Sequence, residues 1–406
     1  MNNSGTLYRY EVKKILSRKL VWIVFLVCVF CIMLFSLADL SGKYYVDGEV
    51  VDTHYHMFKV DQGYRKALSG RALDQQLLGE MAAAYGKIPA GEERYTLTSE
   101  YQTYARPYSD IANLVRLWTQ QWDIDELQAW VPSEGALYAA RAENLEKEWQ
   151  DLRLSDAEKN YWREAEARTK TPLVYYYHEG YRKIISNGLN TVGLLVLLFV
   201  CICMSSVFTE EHARRTDQLI LSSAKGKGVV YWTKLAAGVS VSGIGALLLS
   251  TFTFCAAFAI YGAEGFDTSL RFCSYLWTTS YDLSIGQVCL AAYGILILTA
   301  IVVSVLVQVL SEVLHNNIAT LSFGVGVIIA GMVVKLPYQY RIPAQLWDWA
   351  PWRYLNAEYV FDTRMLSVFG HCLESWQIVP VLYLLAATAA AVAGKYAYRN
   401  YQVSGR

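Results

Sequence analysis

Residues 194–228 read LLVLLFVCICMSSVFTEEHARRTDQLILSSAKGKG. An apolar run ends at Phe208, and Glu210, Glu211, Arg214, Arg215 and Asp217 follow within eight residues. Residues 235–262, LAAGVSVSGIGALLLSTFTFCAAFAIYG, are apolar again. Runs of roughly 18 or more apolar residues are long enough to cross a bilayer as helices. The charged stretch is therefore a loop between two spans, and the fold class follows: an all-α polytopic membrane protein.

Working outward, six apolar runs mark spans at 20–38, 188–208, 235–262, 287–311, 318–334 and 377–394. The fifth is the shortest, 17 residues, or roughly 25 Å at about 1.5 Å per residue. Over the 406 residues, 54% are hydrophobic, 18% are charged and the formal net charge is zero. A nucleic-acid surface needs a basic excess, so no nucleic-acid partner is expected; the lipid membrane is. The run at 20–38 is too long for a signal-peptide core and follows nineteen residues, so it reads as an uncleaved span.

Lysine and arginine near the helix ends set the orientation. Residues 1–19 carry Arg9, Lys13, Lys14, Arg18 and Lys19; the loop 209–234 carries Arg214, Arg215, Lys225, Lys227 and Lys234; the tail 395–406 carries Lys395, Arg399 and Arg406. The opposite loops are poorer, with Arg271 alone in 263–286. Both termini and the loop 209–234 are expected in the cytoplasm, in a multi-pass cell-membrane protein. Residues 1–19 also fit an amphipathic helix capped by Ser4, with Tyr8, Val12, Ile15 and Leu16 on one face.

Residues 39–187 then form an extracytoplasmic domain, mainly helical, with a β-hairpin signal at Asp47-Gly48. Helices are expected over Asp61–Tyr85, over Thr98–Trp122 with a kink at Pro107, and over Ser133–Leu152. In the last, Tyr138, Ala142, Leu145, Trp149 and Leu152 make a core stripe. Ser155-Asp-Ala-Glu158 is a capping box opening a fourth. His54 and His56 would share one side of a strand, but two ligands without a third make a weak metal site. Cys273 and Cys372 fall in two loops on the same side, where a disulfide is open.

No phosphate-binding loop and no HExxH motif occurs. Glu210 to Arg215 matches EExxxR of intramembrane CAAX-type proteases, and Phe208 to His212 matches FxxxH. The two overlap and cannot converge from separate helices. The loop's eight formal charges would each cost ~2.5–3.5 kcal/mol at membrane depth. Catalysis is not expected of this chain.

Phe208, Glu211, Thr216, Leu219, Leu221, Ser222 and Lys234 resemble the loop between spans two and three of type-2 ABC exporter permeases. Arg215 stands where that pattern has Gly, and Ala224 where it has Pro. The basic N-terminus, six spans and large domain between the first two are similar as well. The resemblance implies a transport subunit with no cofactor of its own. Cytoplasmic ABC ATPase subunits would bind ATP and Mg and dock on a coupling helix built from Glu210, Glu211, Arg214, Arg215, Thr216 and Asp217. A second permease chain, identical or not, would complete the path, with Ser322, Gly324, Gly326 and Gly331 on the fifth span at the interface. In 335–376, Trp347, Trp349 and Trp352 would belong to re-entrant helices forming an outer gate. Cargo would be a peptide, an amphipathic antibiotic or a lipid. The other class open is a membrane sensor or scaffold whose large domain binds a ligand.

Overall fold

The computed structural model describes residues 4–400, apart from 39, 42, 47–48, 92–93, 131–132, 215, 217–227 and 369–370. The chain begins with helices α1 (Ser4–Leu16) and α2 (Lys19–Ala38). Strands β1 (Lys43–Val46) and β2 (Glu49–Thr53) pair antiparallel, Val46 opposite Glu49; the turn expected at Asp47-Gly48 lies outside the described residues. The domain continues through α3 (His54–Ala67), β3 (Arg71–Ala72), α4 (Gln75–Tyr85), α5 (Ser109–Thr119), α6 (Ile124–Ala129), α7 (Ala136–Asp151), α8 (Asp156–Ala167), β4 (Val174–Tyr175) and α9 (Glu179–Lys183). After it come α10 (Leu189–Met204), α11 (Thr209–Ala213), α12 (Val229–Tyr261), α13 (Ile285–Leu314), α14 (Asn317–Val333), α15 (Arg341–Asp348), α16 (Ala357–Val360), the strands β5 (Leu366–Val368) and β6 (His371–Leu373), and α17 (Ser375–Asn400).

The protein is mostly helical, and among the described residues five helices are long and apolar enough to cross a membrane: Lys19–Ala38, Leu189–Ala213, Val229–Tyr261, Ile285–Leu314 and Ser375–Asn400. The expected fifth span, α14, is apolar but has 17 residues. α13 lies at the centre, against α10, α12, α14 and α17, while α2 packs on α10 and α12 and turns Leu26, Phe30 and Phe35 outward. Such an apolar exterior suits lipid contact. α13 starts at a capping box, with Ser284 and Gln287 exchanging bonds to each other's backbone N–H, and Asn316 caps α14. Within the bundle, buried Gln308 donates to the Ser304 carbonyl and hydroxyl, and Ser242 donates to Ser304.

The domain has one core around Leu77, Met81, Ile111, Val115 and Trp118, yet its α7–α8 face belongs to the core of the long helices through Leu145, Trp149 and Trp162. Arg141 joins the two. It is 2% exposed, donates to the carbonyls of Trp277 (2.6 Å) and Thr279 (3.0 Å), and pairs with Glu166 at 3.1 Å. Residues 263–284 are thereby sewn into the domain.

Several expectations need correction. The helix expected over Asp61–Tyr85 is two, because Gly70 turns with φ +87°, β3 pairs with β4, and Asp74 caps a new start. The Thr98–Trp122 helix is regular only over Ser109–Thr119, a π turn and a 3-10 turn preceding it around Pro107. His54 and His56 open α3 rather than sharing a strand face, and residues two apart on a helix point apart. The buried face of α7 is Leu137, Arg141, Asn144, Leu145 and Trp149; Ala142 is exposed. Ser4 is helical rather than a cap, and on α1 Ile15 is buried while Leu16 is 37% exposed. Cys273 and Cys372 are both free thiols. The capping box of Ser155 and Glu158 is formed.

Candidate functional site

α10 ends in a turn at Ser205–Phe208, and α11 carries the chain on at the end of the bundle where α1 lies. α1 packs along α12, its Tyr8 hydroxyl donating to Ser240 at 2.8 Å. Lys14 of α1 and Arg18 just after it meet the acids of α11. Arg18 donates to Glu210 at 2.5 Å and to the Ser206 hydroxyl at 2.6 Å, and Arg214 pairs with Glu210 at 2.7 Å. Glu211, 8% exposed, accepts from Lys14 at 2.8 Å and pairs with Lys234, which is fully buried with its ammonium over the Phe208 ring. Thr216 N–H bonds back to the Glu211 carbonyl at 3.0 Å.

Of the residues expected to couple to a partner, Glu210 and Glu211 are thus spent inside the chain. They hold α11 to α1 and α12. Arg214 is 72% exposed and faces outward. Arg215 and Asp217 lie outside the described residues. Removing one partner of a buried pair such as Glu211–Lys234 costs several kcal/mol, which ties α11 to α12.

At the opposite end, where the domain sits, α15 and α16 fold over α14 and α17. The Trp347 indole donates to the Val334 carbonyl at 2.9 Å, and buried Trp349 donates to the Ser375 hydroxyl at 3.2 Å. Trp352 stacks edge-on with Trp347, 5.9 Å between centres, and lies on Gly331, where a Cβ would overlap its ring. Arg353 and Arg364 share Asp348, and Arg364 also holds Asp362. Burial pushes the Asp362 carboxyl above its usual range in spite of Arg364. The domain clamps this cap: Trp162 donates to the Thr363 carbonyl, and Glu158 takes Arg341 and the Met365 N–H. Burial opposes ionisation of Glu158, but bonds from Ser155, Met365 and Arg341 outweigh it and hold the carboxyl low.

The four small residues of α14 divide. Gly324 lies against the Cys201 sulfur and Gly331 under Trp352, whereas Ser322 and Gly326 are exposed. In the domain, a cavity of about 310 Å³ is lined by Asp110, Asn113, Arg116, Trp122, His178 and Arg182. Burial there holds the His178 imidazole below its ordinary value. The sequence offered no signal for this cavity, because its walls come from α5, β4, α9 and residues 272–274. No protein-family model, no curated protein and no solved structure matches this chain.

Proposed function

We propose that this chain is the permease subunit of an ATP-driven exporter of the type-2 ABC kind. It spans the membrane six times, α14 serving as a short fifth span. Both termini and α11 face the cytoplasm, and residues 39–187 lie outside. Cytoplasmic ABC ATPase subunits bind ATP and Mg and dock beside α11, and a second permease chain completes the path. Ser322, Gly326 and Ala330 recur every fourth residue on the exposed face of α14, a spacing that lets another helix approach closely. Cargo is a peptide, an amphipathic antibiotic or a lipid.

The brace on α11 supports this most. A coupling element must pass force from a partner to the spanning helices, and Glu210 and Glu211 tie α11 to the flank of the first span and to the third. Among the described residues of the loop, Arg214 is 72% exposed while pairing with Glu210, and it is the charge we assign to the partner. The tagged full chain, purified from its native membranes, should carry a co-eluting ATPase activity. Arg214→Glu should lower it by about tenfold or more, since a like-charge clash in a docked interface costs several kcal/mol, while yield and Tm stay unchanged. A wild type without any co-eluting ATPase overturns the proposal. The cavity at Arg116, His178 and Arg182 favours the second reading, a membrane sensor; there the wild type carries no ATPase and a ligand of the domain raises its Tm.

A further inference from the structure

Three side chains come together beside the α11 brace. His212 closes α11, Glu312 sits in the last turn of α13, and His315 caps that helix. Each offers one donor atom, and the three donors lie within 4.8 Å of one another. His212 Nε2 is 3.5 Å from one Glu312 oxygen, and His315 Nε2 is 4.0 Å from the other. The two imidazoles meet edge to face, 4.2 Å between centres.

Local structure brings them together. Glu312 and His315 are three apart, so they share a face at the helix end. His315 adopts the left-handed conformation, φ 52°, with its N–H on the Ser311 carbonyl. Residues other than glycine rarely adopt that backbone, and it ends α13 where the ring can turn back over Glu312. Glu312 itself is 1% exposed. A buried carboxylate has to be neutralised, paired or bound to a cation. Among the described residues its ion-pair partners are these two histidines and no lysine or arginine.

We infer that His212, Glu312 and His315 form a binding site for a divalent transition-metal ion, zinc foremost. Two imidazole nitrogens and one carboxylate oxygen are the borderline donors that zinc accepts; calcium and magnesium take oxygen sets. Tetrahedral bonds of about 2.0–2.2 Å place donors roughly 3.4 Å apart. The three donors, within 4.8 Å of one another, therefore reach that spacing with small side-chain movements. Three protein donors leave a fourth position for water or an outside ligand. The ion would tie the end of α11 to the end of α13 and neutralise Glu312. The site stands independently of the exporter proposal.

The test uses the full chain in detergent, stripped with EDTA, dialysed free of chelator and titrated with Zn²⁺, with bound metal measured directly; Co²⁺ replaces Zn²⁺ for visible d–d absorption. Wild type should bind about one equivalent more than His315→Ala or Glu312→Gln, with at least about tenfold weaker binding in each variant. Zn²⁺ should raise the Tm of wild type and not of His315→Ala. His315 is partly exposed, so that variant keeps the core intact and its metal-free Tm checks the fold. Affinity should fall as pH drops and the imidazoles protonate. The eight cysteines are free thiols, and metal held by them persists in both variants. Equal binding by wild type and both variants, or none by wild type, overturns the site.

Discussion

Glu211 and Glu158 are both buried glutamates that join distant parts of the chain, yet they are held in opposite ways. Glu211 sits at the α1 end between two ammonium groups, Lys14 from 197 residues away and Lys234. Glu158 sits at the domain end and accepts from the Ser155 hydroxyl and N–H, the Met365 N–H and Arg341. The first is bound by two ammonium groups and the second mainly by neutral hydrogen-bond donors. A carboxylate among cations resists any change of sign, whereas one among N–H and O–H donors tolerates an isosteric acceptor.

The largest effect is therefore expected at Glu211. Glu211→Lys gathers three ammonium groups in a buried pocket and should cost ~3–5 kcal/mol, read as loss of monodisperse protein after extraction. Glu158→Gln keeps an acceptor and should cost ~1–2 kcal/mol, a Tm loss of a few degrees. If the two variants were equally stable, the contrast between charge-held and donor-held glutamates would fail.

Acid sharpens the contrast. The Glu158 carboxyl is held below its ordinary 4.5. A depressed folded-state value means that its stabilisation is present above the ordinary value and is lost as pH falls through the folded one. Below about pH 4.5 the wild-type Tm should fall more steeply than that of Glu158→Gln; parallel profiles would show that Glu158 does not titrate in this window.

A smaller contrast lies along α14. A Cβ at Gly331 would overlap the Trp352 ring, while Gly326 has nothing within 4 Å. Gly331→Ala should cost ~1–3 kcal/mol and shift tryptophan fluorescence. Gly326→Ala should stay within ~0.5 kcal/mol, and Gly326→Leu should reduce dimer if that face meets a second chain.

What was legible in the sequence follows from range. The apolar runs and the Ser155 capping box are set within a few residues, so the long apolar helices and that helix start could be read directly; α14, with 17 residues, is shorter than the five others. Partnerships across the chain were not legible. Glu210 and Glu211 looked like surface charges because neighbouring residues are charged, and only the fold brings Arg18, Lys14 and Lys234 onto them. Arg141 disappeared into a stripe read as apolar, because its partners are carbonyls of residues 277 and 279. The break at Gly70 needed β4, a hundred residues later, to be visible. The His212–Glu312–His315 cluster joins segments a hundred residues apart and left no local spacing beyond Glu312 and His315.

The proposed function places the two ends on opposite sides of a membrane, the domain outside and α11 inside. Single cysteines at Glu143 and Arg214, which are 71% and 72% exposed, test it in a background with the native cysteines replaced. In intact cells a membrane-impermeant maleimide should label Glu143→Cys and leave Arg214→Cys untouched until the cells are permeabilised. Labelling of Arg214→Cys in intact cells, alone or together with Glu143→Cys, would contradict the account.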